Sequence, residues 1–400
     1  MLDLNKIYEA RDRIKDVVVD TPFSAAPYLS EVSGCDVYLK KENLQITGAF
    51  KIRGAYNKIA SLSDKQRACG VVAASAGNHA QGVALSASHF GIKAVIIMPD
   101  STPLTKVDGV KHFGAEVILA GANYDEAYAH AIAYGKKHSL TFIHPFEDED
   151  VMAGQGTVGL EILERCQELD AVVVPVGGGG LIAGISTAIK SINPDIEVIG
   201  VSALGAPAFK NSFDSKRAID STSVRTIADG IAVRDTSEVT LSYALKNVDR
   251  IISVDDEEIA SAILYLLEKQ KLVVEGAGAV GVAALLHHEL DHLKDKKVAV
   301  VLSGGNMDVT LLSVIIEKGL IKSHRKMKVT VTLVDKPGSL MRFTEILKEL
   351  SANIVHIAYD RTSISLDYGD ANVTVHMETK GDKHQKEIRA ALKAEGYLRE

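Results

Sequence analysis

Cysteine is scarce in this 400-residue chain, and it also lacks an excess of positive charge and any long apolar run. The three cysteines, Cys35, Cys69 and Cys166, lie far apart and match no paired metal-ligand spacing. They read as buried, inert thiols suited to a reducing cytoplasm. Lys and Arg number 45 against 52 Asp and Glu, a formal net charge of -7, which excludes a general affinity for nucleic acid because phosphates call for clustered cations. No stretch reaches the charge-free apolar length that crosses a bilayer. Met1 to Asp20 mixes acids and bases where a signal peptide needs an unbroken apolar core. Neither a membrane nor a nucleic-acid partner is expected.

What remains is the composition of a soluble globular protein, 46% hydrophobic and 24% charged, in a chain too long for one ordinary core. Two or three domains are expected. From Asp36 to about Asp308, short β-branched runs alternate with amphipathic helical patterns, the signature of a parallel sheet covered on both faces. Val71 to Ala74, Ala94 to Met98, Ala171 to Val176, Val198 to Val201 and Val298 to Leu302 read as buried strands. Ligands collect at the carboxyl ends of strands in such sheets, so the glycine turns that follow several of them are where chemistry is expected.

The first turn is Ser75-Ala76-Gly77-Asn78-His79-Ala80-Gln81-Gly82, whose backbone amides at a helix start suit a carboxylate or phosphate; the bland alternative is an Asn/Gly turn with Ser75 capping the helix. The second is Gly177-Gly178-Gly179-Gly180-Leu181, before a helix beginning near Leu181. Four successive glycines let several amides point at one phosphate. The third, Ser303-Gly304-Gly305-Asn306, either starts the next helix or offers a hydroxyl and a close backbone to a ligand. Upstream of all three, Lys51 stands between Phe50 and Ile52, early in a helix that Thr47 is placed to cap. Alone it reads as a lysine whose stem lies along the core with its ammonium in water. A lysine in apolar surroundings, however, loses proton affinity, and a neutral amine attacks carbonyls to form a Schiff base.

Other readings compete. Gly178-x-Gly180-x-x-Ala183 fits a dinucleotide fingerprint, but the next strand ends at Val201-Ser202, without the acid that would hold ribose hydroxyls. No Gly-Lys-Ser/Thr follows the glycines, which removes a P-loop. His288-Glu289-Leu290-Asp291-His292 has zinc-peptidase spacing, yet it sits at the polar end of a helix, where histidines favour the helix dipole in plain solvent. His144, before Pro145, reads as a structural loop histidine.

After Ser323-His324-Arg325-Lys326 the pattern changes. Val329 to Leu333 alternates strictly, Asp335-Lys336-Pro337-Gly338 is a turn, and Ser339 is placed to cap a helix carrying Leu340, Phe343, Ile346, Leu347 and Leu350. Strands near Ile354–Tyr359 and Val373–Met377 and a helix near Gln385–Lys393 complete a small β-α-β-β-α layer pair whose exposed edges could pair in an oligomer.

Taken together, Gly48-Ala49-Phe50-Lys51-Ile52-Arg53-Gly54, Ser75 to His79, Gly177 to Gly180, Ala228-Asp229-Gly230-Ile231-Ala232 and Ser303 to Asn306, in this order, resemble the threonine/serine dehydratases. These are threonine ammonia-lyases of pyridoxal phosphate fold type II. The resemblance spans about Ile7 to Leu320, and the tail resembles an ACT domain through Asp335 to Leu340. It implies a two-lobed, tryptophan synthase β-like parallel-sheet catalytic domain over residues 1–322, with a small mobile lobe at about 45–150. A ferredoxin-like α+β ACT regulatory domain would follow over 328–400, its last strand short and ending at Tyr397-Leu398-Arg399-Glu400.

Position by position, the resemblance implies that Lys51 carries pyridoxal 5'-phosphate and acts as general base, with Ser75 as the second catalytic candidate. Gly177, Gly178, Gly179, Gly180 and Leu181 would hold the phosphate, Asn78 the ring hydroxyl and Ser303 the ring nitrogen, with Phe50 packing near the ring. Ser75, Ala76, Gly77, Asn78 and His79 would grip the substrate carboxylate. Racemases and related dehydratases place a metal-binding glutamate just after the strand that here ends at Val201. This chain has Ser202 there and no acid from Ala203 to Phe209, so no metal is expected. The expected partners are a small amino-acid substrate, an amino-acid effector at the ACT domain, and copies of the chain in a homodimer or homotetramer; a serine racemase-like or other β-replacing activity of the same fold type is the alternative, and a non-catalytic amino-acid sensor is the alternative outside it.

Overall fold

Strands form where the sequence runs to consecutive β-branched and small apolar residues, and their burial on both faces explains why those runs do not alternate. The computed structural model describes residues 1–398, in two compact units, Met1–Asp308 and Val309–Glu400. Thirteen strands are defined among the described residues. In chain order they are β1 Phe23–Ala25, β2 Asp36–Lys40, β3 Val71–Ala74, β4 Ala94–Met98, β5 Glu116–Leu119, β6 Thr141–Phe142, β7 Ala171–Pro175, β8 Glu197–Ala203, β9 Arg250–Val254 and β10 Lys297–Val301 in the first unit. The second unit holds β11 Lys326–Val334, β12 Asn353–Asp360 and β13 Asp370–Glu378.

The first unit holds two sheets. The larger runs β1-β2-β10-β7-β8-β9, parallel except where β1 pairs antiparallel with β2; the smaller runs β5-β4-β3-β6, parallel throughout. In the larger sheet Val172, Val174 and Val301 pack with the helix Gly180–Ile192. Val173 and Val300, which point the other way, meet the helix Gly276–Leu286 at Gly281. In the smaller sheet Val71, Ala73 and Ile96 pack with Ala80, Val83 and Ala84 of the helix Asn78–His89, while Val72, Ala74 and Val95 face Ala127 and Ala131 of the helix Tyr124–His138. Both sheets are thus covered on both faces. No helix among the described residues is long and apolar enough to cross a membrane.

The second unit is an antiparallel sheet ordered β11-β13-β12. Burial alternates along β11 and β13 because only one face is covered; Val329, Val331, Val373 and Val375 pack with Phe343 and Leu347 of the helix Ser339–Glu349 and with Ile388 and Leu392 of the helix Asp382–Ala394. Ser339 is the first helical residue rather than the cap, since Gly338, with φ +91°, takes the cap position. The helix Val309–Lys322, which the sequence reading gives to the first domain, groups with this unit. Arg399 and Glu400, where the short last strand is expected to end, lie outside the described residues.

Candidate active site

The carboxyl ends of β3, β7 and β10 carry the three glycine turns, and all three turns line one cavity of about 680 Å³ in the first unit. The neighbouring parallel strands β7 and β10 put the second and third turns side by side. The first arrives from the smaller sheet. Every site residue expected from sequence lines this cavity: Phe50, Lys51, Ser75 to His79, Gly177 to Leu181, and Ser303.

Lys51 is held there by backbone. Ala49 bridges Gly304, the Phe50 amide donates to the Ser303 carbonyl at 3.0 Å, and the Gly305 amide donates to the Gly48 carbonyl at 2.8 Å. Gly48 turns with φ +70°, and a Cβ there would lie 2.4 Å from Asn306 Oδ1, so only glycine fits. The helix then starts at Lys51 itself. Thr47 does not cap it: Phe50 holds the cap position, and the Thr47 hydroxyl donates to the Ala49 carbonyl. Lys51 Nζ lies 5.2 Å from the Phe50 ring centre and donates to the Pro145 carbonyl at 2.8 Å. Burial pulls its pKa down to about 8, against the opposing pull of Glu275.

The four-glycine turn leads into the helix Gly180–Ile192, with Gly179 left-handed at φ +85° in the cap position. The amides of Gly177 to Leu181 find no acceptor among the described residues, the condition in which a helix start binds an anion. The glycines also answer to packing: a Cβ at Gly178 would strike the Phe146 ring at 2.5 Å, and one at Gly179 the Phe209 ring at 2.3 Å. Ser303 is buried, and its hydroxyl has no partner among the described residues. It starts no helix, since the next one begins at Val309. A free hydroxyl, a row of unpaired amides and a desolvated amine are a donor set that fits pyridoxal phosphate.

Ser75 does not cap its helix either; its hydroxyl accepts from the Gly77 amide at 3.2 Å, and Gly77 takes the cap position. His79 is buried with Nε2 on the Ile143 carbonyl, and burial followed by the charge on Lys51 lowers its pKa to about 3, so the ring is neutral. His144 Nδ1 accepts from the Glu147 amide at 2.7 Å and shapes the loop that carries Pro145 and Phe146.

Several cavity residues were not singled out from sequence. Lys106 pairs with Asp229 and Arg234 with Asp125, each at 3.0 Å, joining helices of the smaller sheet to the segment around Ala228 to Ala232. Glu275 is buried in the cavity wall, where both carboxylate oxygens accept from Asn78 Nδ2, at 2.8 and 3.1 Å. Its signal was a lone acid between an apolar pair and a run of small residues. Ser202, where a metal-binding acid would stand, lies inside β8 and bonds the Ser253 hydroxyl at 2.8 Å. The zinc-like motif fails on geometry: the helix ends at Leu286, His288 is left-handed at φ +63°, and its ring bonds Asp291 while His292 bonds Glu197.

Comparison with known proteins agrees with this geometry. The model of the family described as pyridoxal-phosphate dependent enzymes matches residues 14–304. An L-threonine ammonia-lyase from Thermotoga maritima is 50% identical over 397 residues, 99% of this chain and 98% of that protein. Among solved structures, maize serine racemase is similar at a TM-score of 0.76 and 36% identity, covering 81% of this chain and 99% of that one. Threonine deaminase isoform 2 from Solanum lycopersicum is similar at 0.75 and 37%, covering 79% and 88%.

Proposed function

The chain belongs to the family of pyridoxal-phosphate dependent enzymes, and on that premise we propose that it is a lyase converting L-threonine to 2-oxobutanoate and ammonia, and L-serine to pyruvate and ammonia. One observation carries this reading: a desolvated amine and a row of unpaired amides share one cavity. It is supported by the identity, at one residue in two over nearly the whole chain, with an L-threonine ammonia-lyase.

Pyridoxal phosphate, when bound, supplies a carbonyl that captures amino groups and a ring that withdraws electrons from the substrate Cα. Lys51 Nζ is proposed as its anchor, and the amides of Gly177 to Gly180 and Leu181 as the grip on its phosphate. Asn78 would meet the ring hydroxyl, Ser303 the ring nitrogen, and Phe50 would flank the ring. Ser75 to His79 are proposed to hold the substrate carboxylate, with Ser75 also reaching the reacting end. Lys51, as a neutral amine, would serve as the base that takes the substrate's Cα proton. Ser303 carries no charge, so it would not keep the pyridine nitrogen protonated as an aspartate would. That would favour expelling the β-hydroxyl, which takes up a proton and leaves as water, over letting a carbanion linger at Cα.

The assay is direct. Ammonia and 2-oxobutanoate should appear in equal amounts from L-threonine, and pyruvate from L-serine. D-Serine without ammonia would overturn the reading in favour of the racemase alternative raised by the maize structure. A second expectation follows from the Lys51 amine. Uptake of pyridoxal phosphate by the apoenzyme needs that amine neutral, so its rate should climb about tenfold per pH unit below pH 8 and level off above. A rate flat from pH 6 to 9, followed by visible absorbance, would contradict it.

The segment 328–400 is proposed as an amino-acid-sensing module, with isoleucine or valine bound near Asp335 to Leu340. The exposed Val355, Ile357 and Tyr359 on the edge strand β12 support pairing with a second copy, and hence a homodimer or homotetramer. The three cysteines are unpaired, which suits a cytoplasmic enzyme; against the expectation of buried thiols, only Cys35 is buried, while Cys69 is exposed and Cys166 half-buried.

A further inference from the structure

The walls of the cavity are glycine-rich for a reason that the phosphate alone does not supply. A Cβ at Gly304 would lie 2.5 Å from Glu275 Oε1, and one at Gly230 would lie 3.1 Å from the same oxygen. Two separate turns therefore leave room for a single buried carboxylate. The backbone ties it to the first of these turns as well, because the Glu275 amide donates to the Gly304 carbonyl at 3.0 Å. The segment leading to it leaves a π-helical turn, Leu266–Gln270, and is pinned where Asn43 Nδ2 donates to the Val273 carbonyl.

Glu275 in turn decides which way Asn78 faces. Asn306 Nδ2 gives one hydrogen to the Thr47 carbonyl at 2.8 Å and the other to Asn78 Oδ1 at 2.7 Å. Asn78 is left with its amide nitrogen toward Glu275. Turned over, Asn78 would set nitrogen against nitrogen at Asn306 and oxygen against a carboxylate at Glu275, losing bonds at both ends. We infer that Glu275 is a positioning residue of this site, which through Asn78 fixes the orientation of the group bound over Lys51. The inference rests on the reading of Asn78 as the partner of the ring hydroxyl.

The chain of bonds depends on charge. Burial pushes Glu275 up to about 7; the Asn78 bond opposes this, Asp229 adds to it, and Lys106 and Lys51 oppose it. His79, on the helix that carries Asn78, is neutral and adds no charge. Above neutrality the carboxylate accepts at both oxygens. Below it, one oxygen carries a proton and Asn78 loses a partner.

The test compares wild type with Glu275→Gln, which keeps the shape and removes the ionisation. Three quantities are read: the visible absorbance of the holoenzyme against pH, the affinity of the apoenzyme for pyridoxal phosphate, and the split of threonine turnover into kcat and KM. In wild type the absorbance should titrate near pH 7, and in the variant this transition should vanish. Cofactor affinity and kcat should each fall about tenfold or more, on the scale of a hydrogen bond to a charged group, while KM moves little. A variant that matches wild type in absorbance and affinity at every pH overturns the inference. If the variant does not fold, Asn306→Ala breaks the other end of the same chain, and its holoenzyme absorbance must shift for the inference to stand. Wild type that binds no pyridoxal phosphate would refute the function itself; wild type that binds it while Glu275→Gln is indistinguishable refutes only the role of Glu275.

Discussion

Replacing Lys51 with alanine should lower ammonia release from threonine by at least about a thousandfold, within the range expected for loss of a general base and with loss of the cofactor's anchor added. The size follows from the position. No second lysine amine stands in the same place, because Lys106, the other lysine lining the cavity, is engaged by Asp229 at 3.0 Å. Lys51→Arg is the informative companion. It keeps a cation but offers no neutral amine at any working pH, so it should be as inactive as alanine. Lost activity must not reflect lost folding, and the same pKa supplies the control. A lysine held near 8 in the folded chain and ordinary in the unfolded one binds fewer protons when folded, so the apoprotein should gain stability as pH rises from about 8 toward 10. The alanine variant should lack that rise and be no less stable at pH 7. Full turnover in either variant would remove Lys51 from the mechanism.

How much of this was legible in the sequence depends on how local the physics is. The turns at Ser75, Gly177 and Ser303 could be read because a buried parallel strand followed by glycine announces itself over a few residues, and the order of the motifs then set Lys51 among them. Glu275 could not be weighed in the same way. Its burial depends on Gly230 and Gly304, which clear space from two other turns, and on Asn78 from a different sheet. The zinc-like motif misled because its spacing has meaning only on a helix, and whether the helix reaches His288 is settled by a left-handed residue that spacing does not reveal. Thr47 failed as a cap for a similar reason. Thr47 lies in a turn closed by the Gly48 amide on the Gln45 carbonyl, and Ala49 then bridges Gly304, so the helix begins four residues later, at Lys51.

Arg53 belongs to the same class of hidden residue, and it carries the largest stability effect expected here. It lies in the first turn of the helix that Lys51 begins and is wholly buried. Its guanidinium donates to both oxygens of Glu42 at 2.8 Å, to Glu161 at 2.6 and 2.8 Å, to Thr157 at 3.0 Å and to the Val19 carbonyl at 3.2 Å. Lys40, also wholly buried, completes the group by pairing with Glu161 and donating to the Thr21 carbonyl at 2.7 Å. Two cations thus balance these two carboxylates; a third, Asp20, 3.5 Å from Lys40 Nζ, is half exposed and also paired with Arg165. Burial alone would raise Glu42, and Arg53 overcomes it, so that carboxyl sits below its usual range. Arg53→Met leaves the wholly buried Glu42 and the partly buried Glu161 to share Lys40, and breaking one side of a buried ion pair in this way costs about 3–5 kcal/mol. The double replacement Arg53→Met with Glu42→Leu leaves Lys40 and Glu161 balanced. It should therefore be less damaged than Arg53→Met alone, and thermal unfolding of the four proteins in the cycle measures the difference as a coupling. Because the helix carrying Arg53 begins at Lys51, the single variant should also loosen the amine and lose cofactor on dialysis, and the double variant should regain part of it. Equal unfolding temperatures for Arg53→Met and wild type would mean that the cluster holds neither the helix nor the lysine at its start.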